Sequence, residues 1–375
     1  MAKIYKKIIW EKPEKLKEKE FKINIPKEYQ QILPIGRDKQ DWHAYHLAKT
    51  QEKRLFYKLL HELCKTINEP EITYNGRPRT DLRSLVFSLV LKLYTQQCGR
   101  VLQSDLIMAK EARYIIRAPA TNTLNDFMNL PAVSDLLSKL ITISAIPLKE
   151  LEDQYSIDAS GFGTSQYDRW QVAKYKNKKG FKNYLKGHIV IGTRTNIICS
   201  CSVTPGTLHD SKQANMLIHK TGANFNIKEF SGDKAYSSGK ILKAVESFGA
   251  IPFIPFKSNT TGKNKDSPQI WRDMFKFFKE RREEFEHHYH KRSNVETVFS
   301  MVKKRHGEFL KCKNFIAQRN ELFAKFICHN VCVLIQEMFE RGVKINFREC
   351  LNEYVEVDIE DDYSKTAEKT YLLKN

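Results

Sequence analysis

Three carboxylates stand in settings that suit phosphate chemistry. Asp158 follows the alternating stretch Tyr155-Ser156-Ile157 and precedes Ala159-Ser160-Gly161. Those small neighbours leave room for a bulky ligand close to the backbone. Asp233 lies beside Gly232 at the end of a second apolar stretch, closed by Phe230. Glu296 sits in the pattern Tyr289-x-x-Arg292-x-x-x-Glu296-x-x-x-x-x-x-Lys303, one carboxylate among a tyrosine and two cations. Hard oxygen donors with open positions are what Mg²⁺ or Mn²⁺ takes. Two such ions activate an attacking hydroxyl and stabilise the leaving oxygen in phosphodiester displacement.

The elements that must position these groups are legible in the patterning. No proline or glycine interrupts Asp273 to Arg305, so the stretch predicts one helix, with any break near Glu286. At about 100° per residue, Tyr289, Arg292, Glu296 and Lys303 share an arc of roughly 60°. Val295, Val298 and Val302 point well away, which gives the helix a side to bury. Gln154–Phe162 reads as a strand. His188–Thr193 and Ile197–Thr204 continue it as a meander ended by Pro205-Gly206. Asp210 is placed to cap a helix through Ile218. A fourth strand ends near Phe230, a helix follows Tyr236, and Ile251–Phe256 makes a fifth strand. Three strands, helix, strand, helix, strand and helices predict a mixed α/β sheet covered by helices.

Upstream the pattern is all helical. Leu55, Leu59, Leu60 and Leu63 recur at helical spacing. A turn at Asn75-Gly76-Arg77-Pro78 leads to a helix capped by Thr80 or Asp81 and apolar nearly all round from Leu82 to Tyr94. Shorter helices follow over Ser104–Ile115 and Thr121–Met128, the latter capped by Thr121. Such a set reads DNA in helix-turn-helix fashion or serves packing and dimerisation. The expected divisions are a basic arm over 1–50, a helical DNA-end-binding or dimerisation domain over 51–150, a catalytic domain over 151–345 and an acidic tail over 346–375.

The net charge of +19 over 375 residues points to a polyanionic partner. Nucleic acid fits a charge spread along the whole length better than a membrane does. The most apolar run, Leu85–Leu91, is far too short to cross a bilayer. Met1–Trp10 lacks the apolar core of a signal peptide, so the expected location is cytoplasmic, at the nucleoid. Eight cysteines without Cys-x-x-Cys spacing exclude a zinc ribbon and a disulfide framework. Cys199, Cys201, Cys328 and Cys332 read as buried thiols.

The Tyr289, Arg292, Glu296, Lys303 spacing resembles the Tyr-Arg-Glu-Lys signature of insertion-sequence DDE transposases. Ser156-Ile157-Asp158-Ala159-Ser160 and Ser231-Gly232-Asp233-Lys234-Ala235-Tyr236 extend the likeness, which covers Tyr155 to Ile335 and more weakly Leu82 to Leu148. The resemblance implies a ribonuclease-H-like catalytic domain preceded by the all-α region. It implies that Asp158, Asp233 and Glu296 hold two Mg²⁺ ions, with Mn²⁺ as a substitute. Tyr289, Arg292 and Lys303 then contact DNA near the cut. The partners it implies are terminal inverted repeats, target DNA and a second copy of the chain or a larger synaptic complex. Only 63 residues separate Asp233 from Glu296, which leaves no room for the β-rich insertion some relatives carry.

Other features have plainer readings. Seven basic residues between Arg169 and Lys186 interleave with Trp170, Tyr175, Phe181 and Tyr184; they suit phosphate contact with base stacking, or a solvated loop. Lys186, close to Asp158 in the meander, is a candidate DNA contact. His287, His288 and His290 do not converge on a metal at helical spacing. Thr260-Thr261-Gly262-Lys263 lacks the rest of a phosphate-binding loop, and Gly163-Thr164-Ser165 lacks the second glycine of a nucleophile elbow. The sequence therefore predicts end cleavage and strand transfer. A catalytically silent DNA-binding protein and a nuclease that cuts without joining stand as alternatives.

Overall fold

The computed structural model describes residues 41–70, 79–164, 184–262 and 267–357. Most of the basic arm, the turn at Asn75–Pro78, the aromatic and basic stretch before Tyr184 and the tail beyond Val357 fall outside those residues. The chain forms two compact units, one of residues 1–148 with 323–354 and one of 149–322 with 355–375. Inside the span 151–345 expected for the catalytic domain, the compact units change over between Leu322 and Phe323.

The first unit begins with α1 (Trp42–Cys64), α2 (Leu82–Thr95), α3 (Gly99–Glu111), α4 (Thr121–Met128) and α5 (Pro131–Ala145). Asp81 caps α2 by accepting the Ser84 N–H at 2.8 Å, and Leu85 through Leu91 are buried on every side. The helix forms the centre of this unit, as an all-round apolar segment must. Thr121 does not cap α4. Ala120 holds the cap position, and the Thr121 hydroxyl donates to the Gly99 carbonyl at 3.1 Å.

The second unit holds β1 (Gln154–Gly163), β2 (Tyr184–Gly192), β3 (Ile198–Pro205), α6 (Ser211–Gly222), β4 (Glu229–Gly232), α7 (Gly239–Glu246) and β5 (Ile251–Phe253). Then come α8 (Gln269–Glu280), α9 (Arg282–Tyr289) and α10 (Ser293–His306). The sheet order is β3-β2-β1-β4-β5. β2 runs antiparallel to both β1 and β3, while β1, β4 and β5 are parallel. This is the ribonuclease-H-like mixed sheet, with the meander supplying its antiparallel half and the crossovers through α6 and α7 its parallel half.

The long helix expected from Asp273 to Arg305 is three pieces. Its first break is at Arg281, with φ −127° and ψ 56°, not at Glu286. A tight turn of 3₁₀ helix over His290–Arg292 makes the second. Phe253, Phe278 and Phe285 explain the bend, because their rings meet edge-on at 5.0 to 5.7 Å. A straight helix would not fold both aromatic segments onto that cluster.

Two last helices close the chain, α11 (Phe315–Glu340) and α12 (Phe347–Glu353). α11 belongs to the second unit up to Leu322 and to the first from Phe323. Within the first unit, the Cys328 thiol donates to the Val90 carbonyl at 3.3 Å. The Asn330 amide donates to the Ser144 hydroxyl at 2.9 Å. α11, and Pro131–Leu151 too, are long and apolar enough to cross a membrane, and both are mostly buried inside the protein, as core helices are.

Candidate active site

Parallel pairing of β1 with β4 is the first positioning device. Ile157 pairs with Gly232, so Asp158 and Asp233 each stand one residue further along neighbouring strands. A side chain at position 232 would press within 2.9 Å of Ile157, and glycine there lets the strands close up. α10 is the second device. Val295, Val298 and Val302 are fully buried, and Phe299 meets Phe162 of β1 at 6.3 Å. That packing turns the opposite side of α10 and the turn before it toward the β1 carboxylate.

Arg292 is the hub of the arrangement. Its Nη2 donates to Asp158 Oδ2 at 3.0 Å and its Nη1 pairs with Glu296 Oε1 at 3.0 Å. Asp158 is 19% exposed and Glu296 61% exposed in their side chains. The second Asp158 oxygen accepts the Ala159 N–H at 2.9 Å. Asp233 accepts the Lys234 N–H at 2.6 Å, starting a short turn of 3₁₀ helix.

The electrostatics tie these groups into one site. Burial raises the Asp158 pKa above the ordinary aspartate value. The Ala159 N–H and Arg292 pull it back, and the charges of Asp233 and Glu296 raise it further. Burial works against the Arg292 guanidinium, yet Asp158, Tyr289, Glu296 and Asp233 together hold its pKa up. The Tyr289 pKa is raised mainly by burial and by the charges of Asp233 and Asp158, with Arg292 pulling it back. Asp158, Asp233, Glu296, Tyr289 and Arg292 therefore act on one another.

Lys303 lies further along β1. Its ammonium donates to the Ser160 hydroxyl at 2.7 Å and sits 5.1 Å from the Phe162 ring centre. Burial lowers its pKa. Lys186 belongs elsewhere. Ile189 pairs with Asp158, and alternation puts Lys186, three residues away, on the other face of the sheet. There it donates to Asp210 at 2.9 Å and to the Leu208 carbonyl at 3.0 Å. Asp210 thus serves Lys186 and makes no side-chain cap to α6.

Sequence reasoning missed three residues here. Ser160 holds Lys303 and had been read only as small. Asn294 pins the start of α10 by donating to the Thr193 carbonyl at 2.5 Å. Tyr236 is buried, and its hydroxyl has no partner among the described residues. Burial and then Asp158, Asp210 and Asp233 push its pKa well up, which puts it among the carboxylates. Its place in the Gly232-Asp233-Lys234-Ala235-Tyr236 block was the available signal.

The donor set is oxygen only and suits a hard divalent cation. Among the described residues no three His, Cys, Asp or Glu side chains converge closely enough to hold an ion as they stand. The Arg292 guanidinium lies between Asp158 and Glu296 and pairs with both at 3.0 Å.

Against this geometry, residues 150–331 match the family model described as the transposase DDE domain. The segment is similar to that domain over just under half of the chain. The match spans all five strands of the sheet, α6 through α10 and the first part of α11. No curated protein matches the chain. Among solved structures the chain is similar to piggyBac transposase in a cryo-EM synaptic complex with hairpin DNA. That likeness has 10% identity and a TM-score of 0.37, over 85% of this chain and 84% of the other.

Proposed function

We propose that the protein is a DDE transposase that cuts the ends of its element and joins them to target DNA. The observation carrying this reading is one half-buried aspartate, Asp158, crowded by Asp233 and Glu296 and bridged to Glu296 through Arg292. A purely structural site has no use for three carboxylates pushing against one another.

Asp158, Asp233 and Glu296 would hold Mg²⁺ or Mn²⁺, two ions in all, supplying Lewis-acid charge neutralisation at the phosphodiester. Arg292 exchanges a carboxylate for a DNA phosphate, a group its guanidinium grips in the same two-pronged way. Glu296, mostly exposed, is then released to turn toward Asp158. Lys303 meets a phosphate from its partly desolvated seat on Ser160, where an anion restores the charge state that burial disfavours. Tyr289, close enough to Arg292 for the two to act on each other, contacts the strand beside the cut. Water attacks the phosphodiester at the element's end and frees a 3′-hydroxyl. That hydroxyl attacks a target phosphodiester, so one bond forms for each broken and no protein–DNA link arises. Both ends must be held at once, which calls for a dimer or larger synaptic complex on terminal inverted repeats, at the nucleoid. Lys186, held by Asp210 on the other sheet face, supports the fold around the site in this reading.

The test mixes the full chain and Mg²⁺ with DNA carrying the gene's flanking ends and a supercoiled plasmid, with Asp233→Asn alongside. Cut and joined products that vanish in the variant are expected. Cutting without joining would favour a nuclease. The Arg292 bridge also suits a silent DNA-binding protein, because it neutralises the carboxylates without an ion. End binding with no cutting in Mg²⁺ or Mn²⁺ would establish that second reading.

A further inference from the structure

A cavity of about 560 Å³ opens in the helical unit, far in sequence from the carboxylates. The last turn of α1, the first of α2 and the chain after α3 line it. Among the described residues, Lys65, Arg83, Lys110 and Arg113 line it with a single carboxylate, Asp81. Its size is that of a small-molecule pocket, with space for a nucleotide unit.

The charges around it are unequally committed. Asp81 is used as the α2 cap. Glu69, just outside, accepts the Leu82 and Arg83 N–H groups at 2.9 and 2.7 Å. The start of α2 therefore has its donors occupied, and anion attraction must come from side chains. Lys65 pairs with Glu62 at 3.0 Å, and Arg83 Nε donates to the Ile67 carbonyl at 2.9 Å. Lys110 and Arg113 are exposed, and their side chains make no ion pair or hydrogen bond among the described residues. Among the described residues, two uncommitted cations thus stand over a cavity whose one acid, Asp81, is already engaged.

Arg113 adds an independent observation. It has φ +61°, and its neighbour Tyr114 donates from N–H to the Ala109 carbonyl at 2.9 Å. This is the left-handed helix end at which glycine is the usual residue. An arginine there gives up backbone ease in exchange for its side chain. Ile115 is buried behind it and Ile116 is 78% exposed at the rim, an apolar surface for a sugar or base.

We propose that this cavity binds a phosphate-bearing nucleotide unit, with Lys110 and Arg113 gripping the phosphate and Arg83 and Lys65 completing the positive wall. The unit belongs to a DNA strand or to a free nucleotide. Only its assignment to the DNA of a transposing element rests on the function proposed above.

The full chain is titrated by fluorescence anisotropy into a labelled duplex, and by calorimetry with a mononucleotide and with inorganic phosphate. Lys110→Ala and Arg113→Gly are compared with the unsubstituted chain. Glycine suits the left-handed position, so Arg113→Gly is expected to melt no lower, which removes misfolding as an explanation. Each variant is expected to weaken duplex binding several-fold and to lower the slope of log Kd against log salt by about one, as loss of one phosphate contact does. Duplex binding that falls while the unsubstituted chain ignores the mononucleotide assigns the phosphate to DNA. Mononucleotide binding that both variants lose assigns it to a free nucleotide. Unchanged duplex and mononucleotide binding in both variants overturns the site. DNA cutting by the unsubstituted chain is read separately, so failure here leaves the catalytic reading where it was.

Discussion

At Asp158, burial and two neighbouring carboxylates oppose ionisation, the Ala159 N–H and Arg292 support it, and the opposition wins. Proton binding is then tighter in the folded chain than in the unfolded one. The ionised side chain lowers stability, and the cost appears as pH rises through its raised pKa. Asp158→Asn is therefore expected to melt at the same temperature or higher at pH 7 while losing DNA cutting. A fall of several degrees in the melting temperature would show that the carboxylate serves the fold. His188 has the opposite sense. Burial pushes its pKa down to about 4, against the lesser upward pull of Asp210, with Lys186 also lowering it. Its Nε2 shares a hydrogen bond with the Thr204 hydroxyl at 2.8 Å. On acidification the unfolded chain takes this proton first, near pH 6.5. Stability should drop between about pH 6.5 and about pH 4. Urea unfolding at pH 7 and pH 5 checks this, and His188→Gln should show the smaller loss. Of the residues around the carboxylates, those within a spaced pattern were legible in the sequence. Asp210 was not, because its pairing with Lys186 joins positions 24 residues apart that only the sheet and α6 bring together.

At the scale of elements, the succession of strands and helices announced a mixed sheet, but which strands are neighbours in it is set by long-range pairing that no local pattern carries. The bends at Arg281 and His290 went unannounced, since neither has a proline or glycine to mark it. They answer to aromatic packing between segments that no local pattern reveals. One turn has more consequence than its length suggests. Glu152, buried below the end of β2, accepts the Arg194 N–H at 3.0 Å and both the N–H and hydroxyl of Thr195 at 2.6 and 2.7 Å. A side chain in place of Gly192 would strike its carboxyl. Thr193, in the same turn, receives the amide of Asn294, so the turn also seats α10. Glu152→Ala leaves three donors unpaired, and at roughly 1 to 3 kcal/mol for each such group the expected loss is about 3 kcal/mol after partial rescue by water. Urea denaturation measures it. A loss below about 1 kcal/mol would mean that the turn holds itself.

For the molecule as a whole, a net charge of +19 makes salt the sharpest probe of DNA binding. If six or more phosphates are neutralised, affinity for a duplex should fall by a factor on the order of a thousand between 50 and 200 mM salt. Anisotropy titrations across that range test it, and a nearly flat response would remove DNA as the partner. The shared helix α11 has a different consequence, in the order of synthesis. The body of the second unit, 149–322, is continuous, whereas the helical unit needs residues 323–354 to finish its core. A growing chain emerges N-terminus first. The first part of the helical unit must therefore wait for residues 323–354 to arrive, and the body at 149–322 has all its residues before that unit does.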